Sequence, residues 1–333
     1  MLHEIWMRAC ARGLNPRGAF EIVTTTNSGH PTTAGLFEIR RSAFVPRLFL
    51  LGAEELWEPA DVLYEDESAA AALAEALVKR GLPVRFGHFP AESLLLAALK
   101  EACRGKALLI ADPVAGSPVI RLDESWREPE KKFNARRQGD FRRMRRKAEA
   151  MGAVTIEIVA PKPDEVDAVL EEAIMVEAGG WKALSRSALA FDEKARAFFK
   201  EYARLASAAG ILRIAFLRIA GKAAATQIAV ECDKGFWLFK IGYDDAYKEC
   251  SPGNLLMLET VRRAADLGLS TFEFLGKSAP WTSLWTEEER PNIRLRIYPF
   301  NAAGLAAAAS DGVAAAARRA QAAIQSRVSK KHA

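Results

Sequence analysis

The sequence predicts a mixed α/β protein in which central sheets are flanked by helices. In the first 120 residues, helical and strand patterns alternate along the chain. Between residues 212 and 243, three strand patterns follow one another, joined only by short turns. The segment 236–276 then reads as strand, loop, helix and strand. Together these three observations predict sheets that combine parallel and antiparallel pairing.

The composition indicates a globular protein with a mild positive charge. The 333 residues are enough for two ordinary domains, and half of them are hydrophobic. The net charge of +5 and the pI near 9.0 favour an acidic small ligand or loose association with phosphate-rich surfaces. They do not favour dedicated nucleic-acid binding.

The cysteines and the apolar runs bear on the compartment. Four cysteines are widely spaced without a CxxC motif, which argues against a metal site or a disulfide framework and predicts a reducing cytoplasm. The segment 1–13 carries charges among its apolar residues, so we expect no signal peptide. No uncharged apolar run reaches 18 residues, and we therefore expect no transmembrane helix.

The first half predicts a domain over residues 1–124 with no cofactor loop of its own. It shows no phosphate-loop pattern and no carboxylates paired at helical spacing, so we interpret it as a scaffold or an acceptor-side domain. Its predicted strands are 19–25, 36–40, 47–51, 83–89 and 107–111, and its predicted helices are 68–80 and 91–103.

A strongly basic helix is predicted next. The segment 131–147 holds nine Lys or Arg among seventeen residues. Such a helix could bind nucleic acid, an anionic membrane surface or an acidic substrate, or it could simply be solvated. Phe133 and Phe141 lie eight residues apart on a helix and form no stacking platform, which argues against nucleic acid.

The second half returns to a regular pattern. A strand at 154–159 and a helix at 163–177 lead to the element Glu177-Ala-Gly-Gly-Trp-Lys182, which indicates either a loop facing a site or a tryptophan packed at a domain joint. A helix over 192–209 precedes the three strands 212–219, 223–231 and 236–243, which are joined by turns at 220–222 and 233–235.

The loop 248–253 is the most informative stretch. It follows the third strand and opens a helix, so its free backbone N–H groups and the positive end of the helix dipole suit a phosphate-bearing ligand. An ordinary strand–helix crossover would show the same pattern. A short strand over 271–275 follows this helix, Trp281 and Trp285 come next at helical spacing, and 293–298 alternates like another strand. The alanine-rich tail 301–333 predicts a helix with a basic end.

This order of elements resembles the core of the GNAT N-acyltransferases. Residues 130–298 resemble more specifically the CelD-like, cellulose-biosynthesis-associated acetyltransferase domain, a relative of the Fem-type peptidoglycan aminoacyltransferases. The matching pieces are the arginines 142, 143, 145 and 146, Glu177 with Trp181-Lys182, the strand start at Gly221, Lys240-Ile-Gly-Tyr-Asp244, Ser251-Pro-Gly253, Glu273-Phe-Leu-Gly276, Trp281 and Trp285.

The resemblance implies tandem GNAT-like domains and a donor site for acetyl-CoA or another acyl-CoA, with no metal. The first domain would be a degenerate copy over 1–124, the acyltransferase domain would span 125–300, and 301–333 would be a C-terminal helix and tail. The donor's pyrophosphate would lie on the amides around Ser251 to Leu255, and its thioester would lie along the edge of the strand 240–243, where the adjacent strands must separate. The cofactor-binding residues implied are Lys248, Ser251, Gly253, Asn254 and Leu255.

The acceptor would be an amine that attacks the thioester directly, so a carboxylate must take its proton. Glu273, Asp244 and Glu177 are the candidate bases, and Tyr243 is the candidate acid for the departing thiolate. The candidate acceptor-binding residues are Trp181, Lys182, Gln227, Lys240, Trp281 and Trp285. The family has Tyr-Lys where this chain has Trp281-Thr282, and this departure leaves the acceptor chemistry open.

Three functions are consistent with the sequence. The first is acyl transfer from acyl-CoA to an amino sugar, an amino acid or a cell-envelope or polysaccharide precursor. The second is Fem-like transfer from aminoacyl-tRNA, in which the basic helix would contact RNA. The third is a non-catalytic binding or regulatory module for polysaccharide production. Peripheral membrane contact is compatible with each, and the sequence does not indicate an oligomeric state.

Overall fold

The computed structural model describes residues 2–14, 20–27, 29–179 and 189–331. The chain forms two compact units that are discontinuous in sequence. The larger unit comprises residues 1–17, 55–59 and 115–291, and the smaller unit comprises residues 18–54, 60–114 and 292–333. The domain boundaries expected at residues 124 and 300 remain predictions.

The helices and strands follow the predicted order. The α-helices are α1 (Leu2–Ala9), α2 (Glu67–Lys79), α3 (Leu94–Ala102), α4 (Ala135–Met151), α5 (Val166–Ala178), α6 (Glu193–Ala208), α7 (Pro252–Asp266) and α8 (Ala302–Lys331). A π-helix covers Cys10–Leu14, and 3₁₀ turns cover Glu124–Arg127, Pro129–Lys132, Leu189–Phe191 and Asp245–Cys250.

The strands are β1 (Phe20–Val23), β2 (Thr26–Asn27), β3 (His30–Pro31), β4 (Thr33–Ser42), β5 (Val45–Leu50), β6 (Leu63–Tyr64), β7 (Val84–Pro90), β8 (Ala107–Arg121), β9 (Val154–Val159), β10 (Leu212–Ile219), β11 (Lys222–Cys232), β12 (Gly235–Tyr243), β13 (Thr271–Glu273) and β14 (Glu289–Pro299).

The smaller unit contains a mixed sheet. Its strand order is β1-β4-β5-β7-β14-β8, with β5 and β7 parallel and β1, β4 and β5 joined by antiparallel pairing. Helices α2 and α3 pack against this sheet, and the core they close includes Leu73, Leu77, Phe86 and Leu99. Burial of such side chains supplies the main stabilisation of this unit.

The larger unit is built on a second mixed sheet. Its strand order is β8-β13-β12-β11-β10-β9, in which only the β12–β13 pair is parallel. Helices α4 and α7 pack on one face, where Phe141, Phe236 and Val261 share a core. Helix α5 approaches the opposite face, because a Cβ atom at Gly242 of β12 would lie 2.5 Å from the Cα atom of Glu177. The expected fold class, with a mixed sheet flanked by helices in each half, is confirmed.

Several strands differ in length from the prediction, and two of them border the larger unit's sheet opening or extend into that unit. The strand expected to end at Ala111 continues to Arg121, and the strand expected to reach Leu275 ends at Glu273. The second strand ends early because Leu275 and Gly276 adopt left-handed backbone angles, with φ of 56° and 51°. Because β13 ends early, it pairs with only the first part of β12, and the sheet of the larger unit is open beside the rest of β12.

The alanine-rich tail forms helix α8, as predicted, and an ion pair fixes it within the smaller unit. The buried guanidinium of Arg47 donates to both carboxylate oxygens of Asp311 at 2.8 Å, and the Tyr298 hydroxyl donates to the same carboxylate at 2.6 Å. Among the described helices, α8 included, none combines the length and the apolar character needed to cross a membrane.

Two glycines of α8 form a matched pair for testing this packing. A Cβ atom at Gly304 would lie 1.9 Å from the carbonyl oxygen of Pro299, whereas one at Gly312 would have no atom within 4 Å. We expect Gly304→Ala to destabilise the protein by about 1–3 kcal/mol, because the helix start must move. We expect Gly312→Ala to stabilise it by about 0.5–1 kcal/mol. Urea unfolding of both variants measures the difference, and equal stabilities would contradict the close approach.

Candidate active site

A cavity of about 490 Å³ lies in the larger unit, beside the open edge of β12. Three lysines and two glutamates line it, so its charged groups leave a positive excess that suits an anionic ligand. The lining residues are Glu58, Glu177, Phe239, Lys240, Ile241, Gly242, Tyr243, Lys248, Ser251, Gly253, Asn254, Phe274, Leu275, Gly276, Lys277, Trp281 and Thr282.

The cavity exists because two neighbouring strands separate. β12 pairs with β13 only where Gly235–Trp237 lie beside Thr271–Glu273. β12 then continues along the cavity as far as Tyr243, while the segment 274–277 turns away. Alternate backbone amides of a strand point to opposite sides, so this edge of β12 presents N–H and C=O groups toward the cavity. The strands thus separate where the donor prediction requires it.

A β-bulge lies in the middle of this open edge. Ile228 of β11 is opposite Lys240, and the next residue, Ala229, is opposite Leu238, so Phe239 is the extra residue on β12. A bulge bends the strand and redirects its side chains. Here the Lys240 side chain lines the cavity, with its ammonium nitrogen 5.0 Å from the ring centroid of Phe199.

The predicted phosphate loop lies at one end of the cavity, with fewer available amides than expected. Asn254 and Leu255 donate their backbone N–H groups to the carbonyl of Ser251, at 3.0 and 3.4 Å. Pro252 has no N–H, and Leu255 is buried in the core. Within the described chain, the Gly253 amide and the Ser251 hydroxyl have no hydrogen-bond partner, and the Lys248 and Asn254 side chains line the cavity beside them.

The space above Gly253 is open. A Cβ atom built there would meet nothing closer than the Tyr243 ring at 3.9 Å, although the helix has already begun. The glycine therefore leaves room for a group lying on the N-terminus of α7. The open space and the donors around it suit a phosphate-bearing ligand.

Glu58 is a buried, charged cavity residue that the sequence did not indicate. It lies in the short segment 55–59 of the larger unit, and its side chain is only 5% exposed. One carboxylate oxygen, Oε2, accepts a 2.7 Å hydrogen bond from the backbone N–H of Gly276. No periodicity or motif separates Glu58 from neighbouring glutamates, and Pro59 marks only an irregular loop.

The surroundings of Glu58 alter its proton affinity. Burial raises the pKa of Glu58 above its ordinary value, because the charged form loses hydration. The positive charge of Lys240 and the Gly276 N–H lower the pKa again, but the effect of burial is larger. A carboxyl group with a raised pKa in a cavity beside a charged partner is a candidate acid or base.

Left-handed backbone angles concentrate around the same cavity. Trp57, Ser251 and Leu275 have φ values of 58°, 47° and 56°, which cost non-glycine residues free energy. Trp57 precedes Glu58, and Leu275 precedes the glycine that binds it. The other described non-glycine residues with positive φ lie in hairpin turns, and they are Ala43, Phe44, Ala220, Asp233 and Lys234.

The predicted catalytic residues separate into two groups. Glu177 and Tyr243 line the cavity, and Glu177 accepts a hydrogen bond from the Leu189 N–H at 3.1 Å. Asp244 instead caps the following 3₁₀ turn by accepting from the Ala246 N–H at 2.9 Å. Glu273 is 1% exposed, lies outside the cavity lining and accepts three hydrogen bonds from Arg290 at 2.6 to 3.1 Å.

The predicted acceptor residues also separate. Lys240 and Trp281 line the cavity, and Trp281 is 38% exposed with its ring edge-on to Phe274. Trp285 lies in the core against Phe133 and Phe141, and Gln227 is fully buried with its amide near the Met257 sulfur, so both lie outside the cavity lining. Trp181 and Lys182 lie outside the described residues.

Thr282, the second residue of the pair that departs from the family's Tyr-Lys, has a structural role. The buried hydroxyl of Thr282 donates to the carbonyl of Ala279 at 2.8 Å and accepts from the N–H of Ala279 at 2.9 Å. Thr282 therefore closes a tight turn at the cavity wall. A lysine at this position would leave the turn without its hydroxyl bonds.

Comparison with known proteins agrees with this geometry. Residues 135–283 match the family model of the acetyltransferase (GNAT) domain, a segment that contains the open edge of β12, the loop 248–253 and Trp281. This match supports an acyltransferase. No curated protein matches the chain.

Solved structures share the fold over most of the chain. One is the C-terminal domain of a putative lysylphosphatidylglycerol synthetase from Agrobacterium fabrum, 15% identical, with 93% of each chain covered and a TM-score of 0.55. FemX is 10% identical, with 90% of this chain and 95% of that chain covered and a TM-score of 0.55. A conserved protein of unknown function from Bacteroides thetaiotaomicron is 10% identical, with coverages of 89% and 90% and a TM-score of 0.56. At these identities the similarity concerns the fold.

The raised pKa of Glu58 predicts that this side chain reduces stability at neutral pH. As pH rises from the ordinary glutamate pKa to the raised one, the unfolded chain loses its proton first, so the free energy of unfolding falls. Glu58→Gln cannot ionise and keeps an oxygen for the Gly276 N–H. We expect this variant to melt above the wild type at neutral pH, with the difference vanishing below the ordinary glutamate pKa.

Thermal melts at a series of pH values from about 4 to 8 measure the difference in melting temperature between the variant and the wild type. Glu287→Gln is the control, because Glu287 is exposed and outside the cavity lining. A Glu58→Gln melting difference that stays constant with pH, as in the control, would contradict the raised pKa.

Proposed function

We propose that the protein is an N-acyltransferase that moves an acyl group, in the first instance acetyl, from acyl-CoA to an amine. The observation that carries this proposal is the open edge of β12, which borders a basic cavity and is followed, after one 3₁₀ turn, by the N-terminus of α7. The matched GNAT domain supports the same reaction class. An acyl-CoA supplies an activated thioester carbonyl, and the residues of the chain supply the rest.

The donor end of the cavity holds the phosphates. The Lys248 side chain, the Ser251 hydroxyl and the Gly253 amide surround the open start of α7. The helix dipole adds roughly half a positive charge at that point. Lys240 and Lys277 extend the positive field along the cavity. The edge of β12 then receives the acyl-bearing arm through backbone hydrogen bonds, and a β12 amide polarises the carbonyl.

The reaction forms one bond and breaks one bond. The acceptor nitrogen, freed of its extra proton by a carboxylate, forms a C–N bond to the acyl carbon while the C–S bond breaks. A second N–H proton leaves the nitrogen, and the sulfur takes up a proton. Tyr243 lines the cavity, and we assign its hydroxyl the role of giving the sulfur that proton.

The acceptor enters at the wall formed by Lys277 and Trp281. An exposed indole attracts a protonated amine through its ring face, and a lysine beside it holds a carboxylate or phosphate of the same acceptor. This combination fits an amino sugar, an amino acid or an anionic envelope or polysaccharide precursor in the cytoplasm. The CelD-like resemblance favours the last of these.

Helix α4 favours one alternative donor, an aminoacyl-tRNA. Arg142 and Arg146 are exposed, lie one turn apart and have no partner within the described chain, whereas Arg145 and Lys147 pair with Glu259 and Glu249. α4 contacts the 3₁₀ turn that precedes the donor loop. Under this alternative, donor affinity falls steeply with salt because phosphate contacts release counterions. A weak salt dependence favours acyl-CoA.

Binding of acetyl-CoA is expected to raise the melting temperature of the protein. Ligand at 100 times its Kd stabilises the folded state by about 2.7 kcal/mol, so a clear shift should appear at millimolar acetyl-CoA. Free CoA should also shift the melt, because the phosphates supply much of the affinity. Differential scanning fluorimetry measures both, and the absence of any shift would sink the proposal.

Gly253 variants show whether the shift arises at this site. The space above Gly253 is empty, so Gly253→Ala and Gly253→Trp should both fold. We expect the alanine to weaken the acetyl-CoA shift and the tryptophan to abolish it, because the added atoms occupy the place of the phosphates. Gly312→Ala, whose added methyl meets no atom within 4 Å, is the control that should keep the full shift.

A further inference from the structure

We infer that Glu58 is the general base that takes the proton from the acceptor amine, and that Lys240 sets the pH at which it can do so. The inference rests on the proposed function, because it assigns a residue to the same reaction. It replaces the sequence candidates Glu273, Asp244 and Glu177 with a residue from the segment 55–59.

Glu58 has a carboxylate oxygen that is available to an acceptor, whereas the three sequence candidates are engaged in other contacts. Glu273 already accepts three hydrogen bonds from Arg290, and Asp244 is used as a cap. Glu177 is bonded to the Leu189 N–H, and its main chain packs directly beneath Gly242. Glu58 lines the cavity with one oxygen bound by the Gly276 N–H. Its other oxygen, Oε1, has no hydrogen-bond partner among the described residues and remains available to an acceptor.

The position of Glu58 relative to β12 also suits a base. Gly276 follows the point where the chain after β13 turns away from β12, and Lys240 lies on the open edge opposite. Glu58 is bonded to Gly276, and the charge of Lys240 acts on it. The carboxylate therefore lies across the gap from the strand edge to which we assign the thioester carbonyl. An amine bound between them would meet both the base and the acyl carbon.

The two segments that hold Glu58 both contain strained backbone. The hydrogen bond from Gly276 to Glu58 joins two segments that both carry a left-handed residue, Trp57 on one side and Leu275 on the other. Such residues persist only when the surrounding structure holds them in place, and they cluster at functional sites. A bulky tryptophan and a leucine have no local reason to adopt this conformation outside a hairpin. The strain is accounted for if it presents Glu58 to the cavity.

Burial and charge adjust Glu58 for its task. A base accepts a proton from an amine more readily when its own pKa is raised, and burial of Glu58 has this effect. Lys240 opposes the shift, because its positive charge favours the ionised carboxylate that a base requires. Lys240 thus acts through Glu58 and is a positioning residue with an electrostatic role.

The proton balance is complete. The acceptor enters as an ammonium ion and gives one proton to Oε1 of Glu58. The nitrogen lone pair forms the C–N bond, the C–S bond breaks, and the second proton passes to the sulfur. Glu58 returns its proton to water before the next turnover. The net products are an amide, free CoA and one released proton.

The test uses acetyl-CoA with two small amines that differ in protonation. Ethanolamine is an ammonium ion at neutral pH and needs a base, whereas hydroxylamine is already neutral. We expect Glu58→Gln to lower kcat with ethanolamine by about 10²- to 10⁴-fold, with a much smaller loss for hydroxylamine. The acetyl-CoA melting shift should remain, since the phosphate loop is untouched. Glu287→Gln, outside the cavity lining, should match the wild type.

The pH profile supplies a readout that a structural role would not move. Wild-type kcat with ethanolamine should fall on the acid side as Glu58 becomes protonated, and Glu58→Gln should lose this limb. Lys240→Met removes the charge that lowers the pKa of Glu58, so it should move the limb to higher pH. An unmoved limb in Lys240→Met, or a limb lost in Asp244→Asn instead of Glu58→Gln, would overturn the inference.

The failures of the two proposals are distinguishable. If acetyl-CoA shifts no melt, or if the wild type acetylates neither amine, the proposed function fails and the inference fails with it. If the wild type acetylates both amines and Glu58→Gln does so equally well, only the inference fails. Selective loss with ethanolamine, together with an intact acetyl-CoA shift, supports both.

Discussion

The structure of the larger unit depends on one constraint, which is that β12 loses its neighbour β13 after three paired residues. Backbone N–H and C=O groups in the middle of a sheet require partners, and leaving a strand edge without them is costly. A cavity at that edge lets solvent or a ligand satisfy these groups. The bulge at Phe239, the early end of β13 and the start of α7 are all placed around this opening. The cavity, which is our proposed donor site, is therefore a consequence of how the sheet is interrupted.

Close contacts on both sides of β12 hold the opening between β12 and β13 in place. Behind β12, Gly242 allows the main chain of α5 to approach closely, and in front the Gly276 amide binds the Glu58 carboxylate. The left-handed residues at Trp57, Ser251 and Leu275 cost of order 1–3 kcal/mol each, and the packing around them must supply this free energy. Stability is thus given up at the places where the chain positions charged groups, a common relation between stability and activity in enzymes.

Much of this could be predicted from the sequence, because the signals are local. The hairpin turns at 220–222 and 233–235, the alternation of the three strands, and Ser251-Pro-Gly253 before an amphipathic helix each follow from neighbouring residues. Side-chain partnership could not be predicted in the same way. From the sequence Glu273 is a candidate base, but in the structure Arg290 binds its carboxylate. Trp285 is a candidate site residue, but in the structure it lies in the aromatic core. Glu58 has no local signal, since its role comes from residues far along the chain.

The hydrogen bond between Glu58 and Gly276 joins positions 218 residues apart in sequence. Closing so long a loop carries an entropic cost that local contacts do not, so contacts of this kind form late in folding. During synthesis the carboxylate emerges early, but the amide that holds it emerges only after most of the chain has been made. A nascent or truncated chain can therefore form its hairpins and its first helices without a seated carboxylate in the cavity. The site is therefore complete only after the segment that contains Gly276 has been made.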